Sequence, residues 1–168
     1  MMQFSTERLQ LRPYAPEDRD ALIDILTNDI VKQTFLVPDY PERAQYEKMF
    51  ERIRSDSLSP ERFAGGIYLE NNLIGLVLDV EVNDGAIEMG YALHPKYHNQ
   101  GFCTEAMRAV ISYLFAEGFR EVVAGAFSDN AASIRVMEKC GMEKIDRTDP
   151  IDYRGKTHTC IYYAIRSE

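Results

Sequence analysis

Cysteine is scarce in this sequence of 168 residues, and the three that occur are Cys103, Cys140 and Cys160. An odd number without a C-x-x-C pair does not suggest a disulfide framework, and no histidine stands close enough to complete a zinc-ligand pattern. We therefore expect reduced, structural thiols and no bound metal.

Long hydrophobic runs are also absent. No apolar stretch approaches the roughly 20 residues that a membrane helix needs. Residues 1–7 lack both the basic start and the apolar run of a secretory signal. These two absences predict a cytoplasmic protein without a membrane partner.

Basic residues are fewer than acidic ones. The chain has 19 lysines and arginines and 27 aspartates and glutamates, which gives a formal charge of −8. Binding to DNA or RNA needs a cluster of basic residues on one face. The charge balance argues against a nucleic-acid partner and suits a cationic substrate.

What is present is the composition of a globular protein, with 45% hydrophobic and 27% charged residues. A chain of this length is long enough for one α/β domain that buries roughly 70% of its unfolded surface, and short for two. We expect a single domain over residues 1–168, as a monomer or a homodimer.

The first third of the chain predicts one strand and two helices. Leu9 and Leu11 alternate with polar residues before Pro13, which indicates a short strand near a sheet edge. Amphipathic helices are predicted to begin at Pro16 and after Pro41. Their predicted apolar faces are Ala21, Leu22, Ile25 and Leu26 in the first helix, and Tyr46, Met49, Phe50 and Ile53 in the second.

The middle of the chain predicts an antiparallel meander of three strands over 63–70, 73–82 and 86–93, separated by polar turns. A long helix that stops at Gly118 and a strand over 122–127 follow, so that 86–93 and 122–127 form a parallel pair. A shorter helix capped by Asp129 or Asn130 and a closing hairpin complete a mixed α/β (α+β) sheet with helices on both faces.

One segment carries a signal for ligand binding. Between the strand 86–93 and the long helix lies the segment 93–106, with Gly101 at the strand-to-helix turn. A glycine at this place lets backbone N–H groups converge on an anion, and the helix N-terminus adds partial positive charge. The alternative is an ordinary turn with positive φ at Gly101. Neither a Walker loop nor G-x-G-x-x-G after a first strand occurs, which disfavours a dinucleotide-binding oxidoreductase.

The order of elements, with Gly101-Phe102-Cys103-Thr104-Glu105-Ala106 at the loop, resembles the GNAT acyltransferases over nearly the whole chain. Residues 6–12, 88–91 and 130–141 look like the branch that acetylates ribosomal-protein N-termini. The resemblance implies an N-acetyltransferase that uses acetyl-CoA as co-substrate. It also implies direct attack in a ternary complex by a primary amine, either a protein or peptide N-terminus or a small amine.

The resemblance also implies the cofactor site, whose family pattern is Gln/Arg-x-x-Gly-x-Gly/Ala. Here His98, Gly101 and Cys103 take the three defined places, with His98 and Cys103 departing from the pattern. Backbone amides would hold the pyrophosphate, and the end of the strand 86–93 would meet the pantetheine. The implied cofactor residues are Leu93, His98, Asn99, Gln100, Gly101, Phe102, Cys103, Thr104 and Asn130.

Two residues are implied as catalytic, because the attacking amine loses a proton and the departing thiolate gains one. Glu88 is the candidate base, directly or through water, and Ser133 the candidate acid, since Met137 stands where many relatives have a tyrosine. The alternatives are a strand carboxylate that bonds a neighbouring side chain, and a serine that bonds the helix backbone. The chain as a whole could also be a non-catalytic acetyl-CoA-binding or regulatory domain of this fold.

Overall fold

The computed structural model describes residues 1–168, which form eight strands and five α-helices. The strands are β1 (Phe4–Ser5), β2 (Leu9–Arg12), β3 (Gly65–Leu69), β4 (Asn72–Asn83), β5 (Ala86–Leu93), β6 (Glu121–Phe127), β7 (Glu143–Tyr153) and β8 (Lys156–Arg166). The helices are α1 (Arg19–Thr27), α2 (Asp29–Lys32), α3 (Arg43–Leu58), α4 (Phe102–Ala116) and α5 (Ala131–Lys139). None of these helices is long and apolar enough to cross a membrane.

The strands form one sheet in the order β1-β2-β3-β4-β5-β6-β8-β7. Strands β5 and β6 are parallel, whereas the pairs β1–β2, β2–β3, β3–β4, β6–β8 and β7–β8 are antiparallel. This confirms the predicted mixed α/β sheet with antiparallel N-terminal strands and a central parallel pair.

The chain folds into two compact units. The first unit comprises Met1–Leu78 and Tyr91–Phe102, and the second comprises Asp79–Gly90 and Cys103–Glu168. The single domain expected over 1–168 stays a prediction.

The core of the first unit is formed mainly by α1, α3 and the strands β3 and β4. Helix α1 buries Leu22, Ile23, Ile25 and Leu26, so the prediction that Ala21 is buried was wrong. The buried stripe begins one residue later than the predicted face, and Ala21 therefore falls on the exposed side.

Helix α3 buries the polar Ser57 together with the predicted Tyr46, Phe50 and Ile53, whereas Met49 is only half-buried. The Ser57 hydroxyl donates to the Arg54 carbonyl at 2.7 Å and accepts from the backbone N–H of Tyr14 at 3.2 Å. Both hydrogen-bonding roles are satisfied, which removes the cost of burying the hydroxyl.

A close approach of two strands fixes where the candidate loop begins. A side chain on Gly75 of β4 would collide with the Ala92 carbonyl and the Leu93 side chain of β5, so only glycine fits there. The backbone N–H of His94 then donates to the Ile74 carbonyl at 2.8 Å. The last residues of β5 are therefore held firmly against β4.

In the second unit, the parallel pairing of β5 with β6 is short. It covers Ala86, Ile87 and Glu88 opposite Glu121, Val122 and Val123. Strand β6 continues its pairing with β8 as far as Phe127 opposite Cys160. Glu88 is the last residue of β5 that pairs with β6.

The predicted closing hairpin is formed by β7 and β8. Strand β7 runs through Pro150, which lies opposite Thr159 of β8. Proline has no backbone N–H to donate to a neighbouring strand. Because β7 is the last strand of the sheet, it has a neighbour on one side only, and an edge position of this kind tolerates proline. The short elements β1 and α2 were also not predicted.

Candidate functional site

The loop that leads into α4 starts at His94, and both ring nitrogens of this residue have polar partners. The His94 Nδ1 atom accepts from the backbone N–H of Lys96 at 3.2 Å and caps a short 3-10 helix, Pro95–Tyr97. The Nε2 atom of the same ring lies 3.2 Å from the Asp24 carboxylate on α1. Both ring nitrogens have partners, so His94 has a structural role.

The structure brings together two of the predicted cofactor residues, Leu93 and His98. The His98 Nε2 atom lies 3.0 Å from the Leu93 carbonyl oxygen, and in the tautomer that has its proton on Nε2 it donates a hydrogen bond to that oxygen. The Leu93 side chain is buried. The carbonyl at the end of β5 is therefore already bonded within the protein.

Two residues of the loop have a left-handed backbone, Asn99 at φ +58° and Gly101 at φ +79°. Glycine and asparagine are the residues that adopt this conformation at least cost. Left-handed residues in such a turn direct successive N–H groups to one side, which is how anion-binding nests form. The loop leads directly into α4, which begins at Phe102 and so includes residues 102–106 that were expected before the helix.

Arg8, which lies between β1 and β2, contacts this loop. Its Nη1 atom donates to the Gln100 carbonyl at 3.1 Å, and its guanidinium carbon lies 4.4 Å from the centroid of the Phe102 ring. Arg8 was not predicted as a site residue. The only signal in the sequence was its place in the segment 6–12, which carried part of the family resemblance.

Cys103 lies in the first turn of α4 and is half-buried. Burial, and secondarily the neighbouring Cys140, raises the pKa of the Cys103 thiol to about 12. Burial also raises the pKa of Cys140 to about 11, although Arg108 opposes this shift. Both thiols are therefore protonated at neutral pH, which disfavours a nucleophilic role because the thiolate is the reactive form. Thr104 accepts a weak hydrogen bond from the Cys140 sulfur at 3.7 Å.

Glu88 is ion-paired. Its Oε2 atom lies 2.9 Å from Nη1 of Arg147, and its side chain is only 13% exposed. Arg147 also bonds Asp149 through Nε at 3.2 Å and lies 3.7 Å above the Tyr162 ring. This is the contact that the alternative interpretation of Glu88 required. No motif pointed to Arg147, Asp149 or Tyr162, because their proximity to Glu88 arises only from the pairing of the strands.

Asn130 and Ser133 meet at the N-terminus of α5. The Asn130 Oδ1 atom accepts from the backbone N–H of Ser133 at 3.2 Å, which confirms the predicted helix cap. The cap uses the side-chain oxygen, whereas a ligand contact could use the amide N–H groups. Ser133 is half-buried, and Met137 on the same helix is fully buried.

Sequence comparison places this arrangement among known proteins. The family model of the acetyltransferase (GNAT) domain matches residues 8–143. The uncharacterized N-acetyltransferase YnaD of Bacillus subtilis (strain 168) is 27% identical over 145 residues, which cover 85% of this chain and 84% of YnaD.

Two solved structures have a similar fold. RimL, a ribosomal L7/L12 alpha-N-protein acetyltransferase in complex with coenzyme A, has a TM-score of 0.84 at 18% identity and covers 98% of both chains. The microcin C7 self immunity acetyltransferase MccE, in complex with acetyl-CoA and AMP, has a TM-score of 0.84 at 15% identity and covers 96% of this chain and 94% of its own. At these identities the likeness concerns the fold.

Proposed function

We propose that this chain, which belongs to the GNAT acetyltransferase family and is an N-acetyltransferase, uses acetyl-CoA to acetylate a primary amine. The observation that carries the proposal is the loop with left-handed Asn99 and Gly101 directly before α4, within the matched region. The neighbours RimL and MccE, which were solved with coenzyme A and acetyl-CoA, support this donor.

The residues of the loop fit a diphosphate. Gly101 has no side chain, and the only atom that a Cβ there would meet within 4 Å belongs to Arg8, a cation. The backbone N–H groups from His98 to Thr104 would hold the diphosphate, aided by the partial positive charge of the α4 N-terminus. The amide of Asn130 and the backbone at Leu93 are proposed contacts for the pantetheine arm.

In the proposed reaction, the amine nitrogen attacks the thioester carbonyl carbon, and the C–S bond breaks to release the thiolate of coenzyme A. Glu88, directly or through water, takes the proton that the amine loses. Ser133 gives a proton to the thiolate and regains one from water, while Glu88 releases the proton of the amine to solvent, so both groups return to their starting states. Burial raises the thiol pKa of Cys103 and Cys140, which disfavours an acyl-cysteine intermediate.

The proposed acceptor is a protein or peptide N-terminus, with a small amine as the second candidate. The similarity to RimL in fold supports the first, and the similarity to MccE shows that the fold also serves other acetyltransferases. The charge of −8 favours the approach of a cationic acceptor of either kind. The three free thiols suit a reducing compartment, and we place the reaction in the cytoplasm.

One panel of acceptors tests the proposal. The protein is incubated with acetyl-CoA and, at equal concentrations, with short peptides that have free or blocked α-amines, with spermidine and with an aminoglycoside, and products are detected by mass. We expect acetylation of peptides with a free α-amine only. Activity confined to the small amines would defeat the N-terminal proposal while leaving acetyl transfer intact.

A further inference from the structure

We propose that Arg8 is a cationic residue of the cofactor site, beside the loop that precedes α4. There it positions the loop backbone and binds a diphosphate oxygen of acetyl-CoA. This inference rests on the proposed function, because it needs a ligand with a diphosphate in the loop. Arg8 is far from the loop in sequence, and neither its role nor its contact follows from the loop pattern itself.

Two contacts hold the guanidinium of Arg8 beside the loop. On one side Nη1 donates to the Gln100 carbonyl at 3.1 Å, and on the other the group lies 4.4 Å from the ring centroid of Phe102. Phe102 is buried and is the first residue of α4, so it provides a fixed surface for stacking. The stacked guanidinium is therefore oriented before any ligand arrives.

The guanidinium also lies over the part of the loop that lacks a side chain. Its Nη2 atom would be 3.4 Å from a Cβ on Gly101, the left-handed residue of the turn. An anion bound on this side of Gly101 would therefore lie close to Arg8. The positive charge there would offset the repulsion that a phosphate meets from a protein of net charge −8.

The chemistry of the side chain fits this ligand. A guanidinium carries five N–H donors in a planar fork, one of which bonds the Gln100 carbonyl. The same fork matches two phosphate oxygens, whereas a lysine would offer a single point charge. Arg8 is exposed, so a ligand can reach it.

Comparing two acetyl donors on the variant Arg8→Gln tests the inference. Acetyl-CoA carries the diphosphate, whereas S-acetylpantetheine has the same thioester and arm without it. We expect kcat/KM for acetyl-CoA to fall about ten- to a hundredfold, mainly through KM, as for a lost hydrogen bond to a charged group. With S-acetylpantetheine, kcat/KM should stay within about twofold of wild type, because this donor has no diphosphate for Arg8 to bind.

Two further variants serve as controls. Arg8→Lys keeps the charge but not the fork, and should recover part of the loss. Arg52→Gln removes one positive charge from an exposed position on α3 and should leave both donors unaffected. Melting temperatures establish that all three variants are folded.

The outcomes separate this inference from the proposed function. Equal losses with both donors, or no loss with acetyl-CoA, would overturn the role of Arg8 while the function stands. If the wild-type protein itself neither binds coenzyme A nor uses acetyl-CoA, the proposed function fails, and this inference fails with it.

Discussion

The Glu88 carboxylate has two possible uses at the scale of a single residue, a proton acceptor and one half of an ion pair with Arg147. A strand carboxylate that only holds its neighbour contributes little, because partly exposed ion pairs are worth roughly 0–1 kcal/mol. A catalytic base has a far larger effect, on kcat rather than on stability. Kinetics can therefore separate two uses that the contact alone does not.

We predict that Glu88→Gln lowers kcat roughly ten- to a thousandfold, the range for losing general base catalysis, and flattens the rise of kcat with pH. Arg147→Gln is the matched control, because it breaks the same ion pair and keeps the carboxylate. Steady-state rates across pH should show a much smaller loss for the control. Similar losses in both variants would mean that the pair only holds the strands.

Ser133 has a backbone role and a proposed side-chain role that a substitution can separate. Its N–H donates to the Asn130 cap, and alanine keeps that bond. We predict that Ser133→Ala changes the affinity for acetyl-CoA little but lowers kcat roughly ten- to a thousandfold.

Ser112→Ala provides the control for Ser133→Ala. Ser112 is an exposed serine of α4 whose hydroxyl donates to the Arg108 carbonyl. The control should keep full activity. A wild-type kcat in Ser133→Ala would remove this residue from the proposed mechanism.

At the scale of the element, the turn before α4 depends on the left-handed conformation of Gly101. A β-branched residue at this φ costs roughly 1–3 kcal/mol, and its branch would also occupy the face where phosphate should bind. We predict that Gly101→Val abolishes the rise in melting temperature caused by coenzyme A, which at a hundredfold its Kd adds roughly 2.7 kcal/mol to the wild type. NAD and ATP should cause no such rise in either protein.

Gly118 offers a control with the same backbone penalty. It follows α4 at φ +99°, and a Cβ there would meet no atom within 4 Å. Gly118→Val should lower the melting temperature by an amount similar to Gly101→Val but retain the full response to coenzyme A. A response retained by Gly101→Val would show that the diphosphate binds elsewhere.

At the scale of the whole molecule, buried thiols and phenols that stay protonated in the folded state make the stability fall at alkaline pH. The folded-state pKa values of Cys103 and Cys140 are about 12 and about 11, raised mainly by burial, whereas a cysteine in an unfolded chain ionises near about 8.5. The unfolded state therefore loses these protons first as pH rises. Burial raises the pKa of Tyr14 and Tyr68 in the same direction.

We predict that the free energy of unfolding is constant from pH 7 to about 8 and then falls. The stabilising contribution of the two thiols is fully present below their unfolded pKa, and it is lost as pH rises through their folded pKa values of about 11 to 12. Tyrosines add to the fall above about pH 10. Urea unfolding at a series of pH values measures this. Cys103→Ala should make the fall between pH 8.5 and 10 shallower, and an unchanged slope would contradict the burial of that thiol.

The sequence by itself determined most of the elements and the place of the glycine turn before α4. Gly85, Gly101, Gly118 and Gly141 all have positive φ where turns or helix ends were predicted. These features follow from local rules, since apolar periodicity and the conformational freedom of glycine act over a few residues. The same local pattern carried the family resemblance that the comparisons confirm.

Only the tertiary structure decided which distant residues meet. Arg147 reaches Glu88 across 59 residues, and Arg8 reaches Gln100 across 92. Strand β7 tolerates Pro150 because it ends the sheet, which its own sequence does not reveal. These features depend on strand order and register, which are set by packing over the whole sheet. The periodicity of a single segment carries no information about either.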